Sequence, residues 1–119
     1  MLKFLLKSKI HRARITDANL NYEGSVLIDE QLMIEANILP YEKVNIWNIN
    51  NGKRFETYAI PAPKNSGSII VNGAASRLVQ INDVIIIASF ALFDEKEAST
   101  AKPAIVYVDD KNHISNVVK

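Results

Sequence analysis

Short runs in which apolar and polar residues alternate dominate this chain, and each predicts a strand. Lys9 to Ile15 alternates loosely, and Ser25 to Ile28 is short and half apolar. Val44 to Ile49 alternates cleanly, with Val44 and Ile46 on one face and Trp47 on the other. Arg54 to Ile60 reads as its partner and stops at Pro61-Ala62-Pro63, since proline has no N–H to give a ladder. Ser68 to Val71 and Pro103 to Val108 are two further strands. Val84 to Phe90 is a continuous apolar run of mostly β-branched residues, which predicts a strand buried on both faces.

Helical signals are few. Asp29 reads as an N-cap, and Leu32, Met33, Ala36 and Ile38 give an apolar face over Glu30 to Asn37. Leu39-Pro40 is the expected terminator, because a residue before proline is pushed out of helical geometry. Asp94 caps a second short piece, Glu95 to Ala98, and residues 73 to 76 read as a single turn. Asn51-Gly52, between two strand-like runs, predicts a two-residue type I′ hairpin. Lys64 to Gly67 predicts another turn. Short strands with two small helical insertions make the chain mainly β, a compact mixed barrel. The pattern does not choose among small barrels.

Composition narrows the function. With 119 residues, 48% of them hydrophobic and 23% charged, the chain is sized for a single domain, 1–119, with a real core. A net charge of +1 leaves no footprint for nucleic acid or an anionic membrane. The apolar stretch near Met1 is too short for a signal peptide, and Val84 to Ala88 is far short of the ~20 residues that span a bilayer, so a cytoplasmic location is expected. The absence of cysteine excludes disulfides and thiolate chemistry. His11 and His113 are the only histidines and form no metal-ligand spacing, so no metal is expected. Neither phosphate-binding glycine motif is present.

Candidate chemistry gathers around Asn21-Tyr22-Glu23-Gly24-Ser25, a polar turn before an apolar stretch. A serine hydroxyl in a strained Gly-Ser turn can attack the preceding carbonyl intramolecularly, at high effective concentration. Gly24 removes a side chain that would crowd that attack and permits unusual backbone angles. The same chain carries Lys9 and His11, Trp47, Asn51-Gly52-Lys53-Arg54, Thr57-Tyr58 and Asn72-Gly73-Ala74-Ala75. Arg54 offers a planar fork able to grip a carboxylate with two hydrogen bonds, and Lys9 a second point charge.

In its order of motifs, the chain from about Lys9 to Glu97 resembles the pyruvoyl-dependent aspartate decarboxylase family. The resemblance implies a double-psi β-barrel, and self-cleavage between Gly24 and Ser25 into a 1–24 and a 25–119 chain. Ser25 would become a covalent pyruvoyl group, which forms a Schiff base with the amine of L-aspartate as a carboxylate leaves. The resemblance assigns Gly24, Thr57 and Asn72 to processing and Tyr58 to proton donation. Arg54, Lys9, Thr57, Gly73, Ala74 and Ala75 are implied to bind substrate, with Trp47, His11 and Tyr22 in supporting positions. A homotetramer with its sites at subunit interfaces follows from the same resemblance, as does a maturation factor in some members.

Two other readings stay open on the residues alone. A non-catalytic barrel serving binding or assembly would remain a single uncleaved chain. A serine hydrolase built on Ser25 and His11 lacks a Gly-x-Ser-x-Gly elbow, and would react with acyl-serine reagents.

Overall fold

A computed structural model describes all residues, 1–119. Nine strands, two short α-helices and one 3-10 turn appear in the order β1 (Lys3–Arg14), β2 (Asp17–Asn19), β3 (Ser25–Asp29), α1 (Glu30–Glu35), β4 (Lys43–Asn48), β5 (Arg54–Ala62), β6 (Ile69–Asn72), a 3-10 turn (Gly73–Leu78), β7 (Val84–Phe93), α2 (Glu95–Ala98), β8 (Ala104–Val108) and β9 (Ile114–Val118). The strands form one sheet in the order β2-β6-β3-β5-β4-β7-β1-β8-β9. Parallel pairs (β1 with β8, β2 with β6, β3 with β5) are mixed with antiparallel ones.

The sheet curls into a small barrel with short helical insertions, because the residue pair leaving β1 bonds both β6, five places away in that order, and the turn before the neighbouring β7. Thr16 N–H donates to the Ile69 carbonyl at 2.8 Å, and Ile15 exchanges bonds with Asp83 and Asn82. Alternation places Ile10, Val26, Ile28, Val44, Ile46, Ile69, Val71, Ile85, Ile87 and Val106 inside, all fully buried. Side chains on these strands supply most of one core cluster, and Leu32 and Met33 of α1 close one side of it.

Several boundaries differ from the sequence pattern, each for a local reason. β1 starts at Lys3 and not Lys9; its exposed Phe4 pairs with Leu92 outside the core, so no burial rhythm marks it. The helix after Asp29 ends at Glu35. Asn37 adopts φ +54, and Ile38 N–H returns to the Met33 carbonyl at 2.9 Å, so a left-handed residue ends the helix before proline has any part.

The hairpin after β4 is not a type I′ turn, because Gly52 alone, at φ +76, is left-handed there. Asn48 N–H meets the Lys53 carbonyl across a four-residue loop. Asn48 and Asn51 side chains accept from the N–H groups of Asn50 and Lys53, which supports the longer turn. β7 runs on to Phe93 and is buried on only one face along part of its length, with Phe90 39% exposed. β2 and β9 have no counterpart in the sequence reading.

Candidate active site

Ser25 opens β3 and is 6% exposed. Its partner across the antiparallel β3–β6 ladder is Asn72. Val26 and Ala59, opposed in the parallel β3–β5 pair, both point into the core. One residue back, Ser25 and Tyr58 therefore share the outer face on neighbouring strands. Thr57 lies on the inner face with its partner Val44, at the level of Gly24.

Asn72 Oδ1 is buried and accepts no hydrogen bond. An unpartnered buried carbonyl beside a serine is a poor way to stabilise a fold and a good way to bind a donor. Next to it, Gly73 has φ +75, and its Cα lies against the backbone of Gly24. A Cβ on Gly24 itself would meet only the Asn72 carbonyl, at 4.0 Å, and Gly24 is not left-handed. The unusual backbone angle expected at Gly24 is found instead at Gly73, where a Cβ would also clash. Tyr22 is 63% exposed in the same turn. Ala74 faces solvent, whereas Ala75 packs against the core.

The cationic residues occupy a second cluster. Trp47 and Arg54 are register partners on β4 and β5, and the Arg54 guanidinium lies 4.4 Å from the Trp47 ring centroid. That stacking holds the fork flat and oriented. Lys9 pairs with Ala88 on β7, and Ala88 with Asn45 on β4, two residues from Trp47 on the same face. Phe90 continues the row, 6.4 Å from Trp47 between ring centroids. The four ion pairs of the chain are Lys7–Glu42, Arg14–Asp110, Lys43–Glu56 and Lys119–Glu35, so Lys9 and Arg54 are both free of carboxylates.

His11 follows Lys9 on β1, edge-on to Tyr107 at 5.6 Å, with its Nδ1 buried and unpartnered. Burial, and then the charges of Lys9 and Arg12, hold its imidazole below the ordinary value. Within one chain, then, Gly24, Ser25, Thr57, Tyr58, Asn72 and Gly73 come together, and Lys9, His11, Trp47 and Arg54 do not join them. Arg54 is four residues along β5 from Tyr58, about 13 Å. Lys9 on β1 is four strands from Ser25 on β3 in the order of the sheet. His11 makes no hydrogen bond to Ser25, its Nδ1 being unpartnered and its ring set against Tyr107.

One neighbour of the site has no sequence signal. Tyr41 stands 6.4 Å from Tyr58 between ring centroids, in a left-handed conformation at φ +69. It is held by Tyr41 N–H to Ala59 O and Ala59 N–H to Glu42 O. The Glu42 carboxylate accepts from Lys7 at 2.7 Å and from Ser89, Lys7 and Ser89 being distant in sequence. Burial alone would raise the Glu42 pKa, but the hydrogen bonds from Lys7, Ser89 and Leu39 N–H outweigh it and hold the group below its usual value.

A family described as aspartate decarboxylase matches residues 1–115. This extends the resemblance beyond Lys9–Glu97 in both directions. The aspartate 1-decarboxylase of Thermoanaerobacter pseudethanolicus is 56% identical over 117 residues, covering 98% of this chain and all of its own. That of Pelotomaculum thermopropionicum is 57% identical, over 98% of this chain and 89% of its own. That of Moorella thermoacetica is 52% identical over the whole of this chain and 93% of its own.

Proposed function

The chain belongs to the aspartate decarboxylase family, and on that premise we propose how its residues act. The activity is decarboxylation of L-aspartate to β-alanine and carbon dioxide, in pantothenate biosynthesis. The observation that carries the reading is the junction of Ser25, Gly24 and the unpartnered Asn72 Oδ1 where β3 begins and β6 ends.

Maturation comes first. Ser25 Oγ attacks the Gly24 carbonyl carbon. The C–N bond breaks, the hydroxyl proton passes to the nitrogen, and an ester with a free Ser25 amine results. Loss of the Ser25 α-proton expels the Gly24 carboxylate and leaves a dehydroalanine. Water then replaces its nitrogen, which departs as ammonia, and a pyruvoyl group remains on residue 25. Thr57, level with Gly24 on the adjacent strand, is assigned to hold the developing oxyanion through its hydroxyl. Asn72 orients Ser25 from across the ladder, its free carbonyl suited to accept from the hydroxyl or the new amine.

The residues fit the group, since Ser25 is sheltered, faces Asn72 across the ladder, and has the side-chain-free Gly73 next to that partner. A pyruvoyl group at residue 25 would supply a ketone for the substrate amine and an electron sink for decarboxylation. Tyr58, beside residue 25 on the outer face, returns a proton to the substrate carbon. Arg54, stacked on Trp47, takes a substrate carboxylate by its fork, and Lys9 supplies a second charge. His11, two residues from Lys9, has its pKa lowered by burial and by the charges of Lys9 and Arg12, which disfavours a further cation there.

Lys9 and Arg54 belong to a cluster set apart from Ser25 in the same chain, Arg54 by four residues of β5 and Lys9 by four strands. We therefore assign them to the Ser25 of a neighbouring copy, in a homotetramer with sites between subunits. Exposed Phe4 and Leu92, register partners beside Phe90 on the outer face of β1 and β7, supply an apolar surface for such a contact. Ser25→Ala tests the reading. It is expected to fold, remain one chain and make no β-alanine. A cleaved or active Ser25→Ala protein would remove Ser25 from its role.

A further inference from the structure

We propose that Gly73 is a positioning residue for self-cleavage, its bare Cα being the stop that holds Gly24 in place for attack by Ser25. The inference rests on the reading that the Gly24–Ser25 bond is the one cut.

Two independent features make position 73 intolerant of a side chain. Its φ of +75 is a region L residues adopt at a cost. A Cβ there would also lie 2.7 Å from Gly24 Cα, 2.8 Å from Gly24 N and 3.3 Å from the Tyr22 carbonyl oxygen. All three are backbone atoms, so no rotamer relieves the clash.

What would move follows from the ladder. Asn72 is fixed to Ser25, Val71 to Val26 and Ile70 to Leu27. Ser25 and the strand under Gly73 are thereby anchored, and the part free to yield is the irregular turn ending at Gly24. A side chain at 73 displaces the electrophile and leaves the nucleophile where it was. A shift of about 1 Å in reacting groups can cost on the order of 100-fold in rate.

Gly52 provides an internal control. It has the same left-handed backbone, φ +76, with nothing within 4 Å of where a Cβ would stand. Gly52→Ala thus carries the backbone cost without the clash.

The experiment follows cleavage of freshly made full-length protein by intact mass, for wild type, Gly52→Ala, Gly73→Ala and Gly73→Asn. Asn tolerates positive φ better than Ala does, so it separates strain from crowding. Gly52→Ala is expected to cleave at the wild-type rate, and both Gly73 variants to fold yet cleave roughly 100-fold more slowly. Hydroxylamine, which splits esters, should not release residues 1–24 from either Gly73 variant, because the first acyl shift is the step impaired.

A folded Gly73 variant that cleaves within about threefold of wild type overturns the proposal. So does rapid hydroxylamine release, which would place the defect after the ester. Failure of both Gly73 variants to fold, with Gly52→Ala intact, would make Gly73 a folding residue instead. A wild-type chain that never cleaves removes the underlying reading, and is told apart because no variant is needed to see it.

Discussion

Arg54 depends on Trp47 at the scale of single residues. A guanidinium stacked at 4.4 Å on an indole loses less freedom when it grips a carboxylate. Arg54→Ala is expected to cleave normally but lose about 100-fold in kcat/KM for aspartate, the worth of a charge-assisted pair. Near-normal turnover would take Arg54 out of the substrate site. His11 carries a stability signature. Its lowered pKa means that the unfolded chain takes up a proton near pH 6.5 that the folded chain refuses. Stability from this source is complete above that pH and is lost as pH falls from 6.5 toward the folded value. His11→Gln should flatten the decline in Tm between about pH 7.5 and about pH 5, and an unchanged slope would contradict the assignment.

Ser25 and Arg54 stand out in the sequence by their chemistry and Tyr58 by the family resemblance alone, and the structure adds which strands carry them. The crowding at Gly73 was not legible, because it arises where two chain segments touch.

Elements carry the next level. α1 was readable from Asp29, whose carboxylate does accept from Gln31 N–H, yet the same group also accepts from Asn65 and Gly67. Those extra bonds tie the end of β3 to a distant turn, and no local pattern announces them. Asn112 acts similarly. Buried and at φ +63, its side chain bonds Arg14 N–H, the Arg14 carbonyl and the Gly67 carbonyl, each at 2.8 Å. Asn112→Ala should cost about 3 kcal/mol, measured by denaturant unfolding, with cleavage chemistry intact in the folded fraction. A loss below about 0.5 kcal/mol would show the staple to be dispensable. Strands facing the core were legible because burial enforces alternation. β9 escaped because Ile114–Val118 is an edge strand with polar Ser115 and Asn116 on successive positions, and β2 because it is three residues long.

For the whole molecule, the division of the site into two clusters decides how copies must cooperate. Ser25, Tyr58 and Asn72 lie at the level of the middle of β5, and Arg54 and Trp47 at its start. Two defective chains should then complement. Co-expressed Ser25→Ala and Arg54→Ala proteins are expected to regain about a quarter of wild-type activity under random mixing, although each alone is inactive or nearly so. No recovery in mixed assemblies would place both clusters in the service of one chain. The barrel was legible as a class from strand count and length, whereas its closure by Thr16 and Ile69 depends on contacts between remote segments.

Everything above turns on whether the chain cuts itself at residue 25. The intact mass of the purified, denatured protein after incubation reads this directly. The account predicts two fragments, residues 1–24 and 25–119, with the larger lighter by one ammonia than a fragment beginning with serine. A single unbroken chain of 119 residues after prolonged warming, or a larger fragment that still begins with serine, would contradict it.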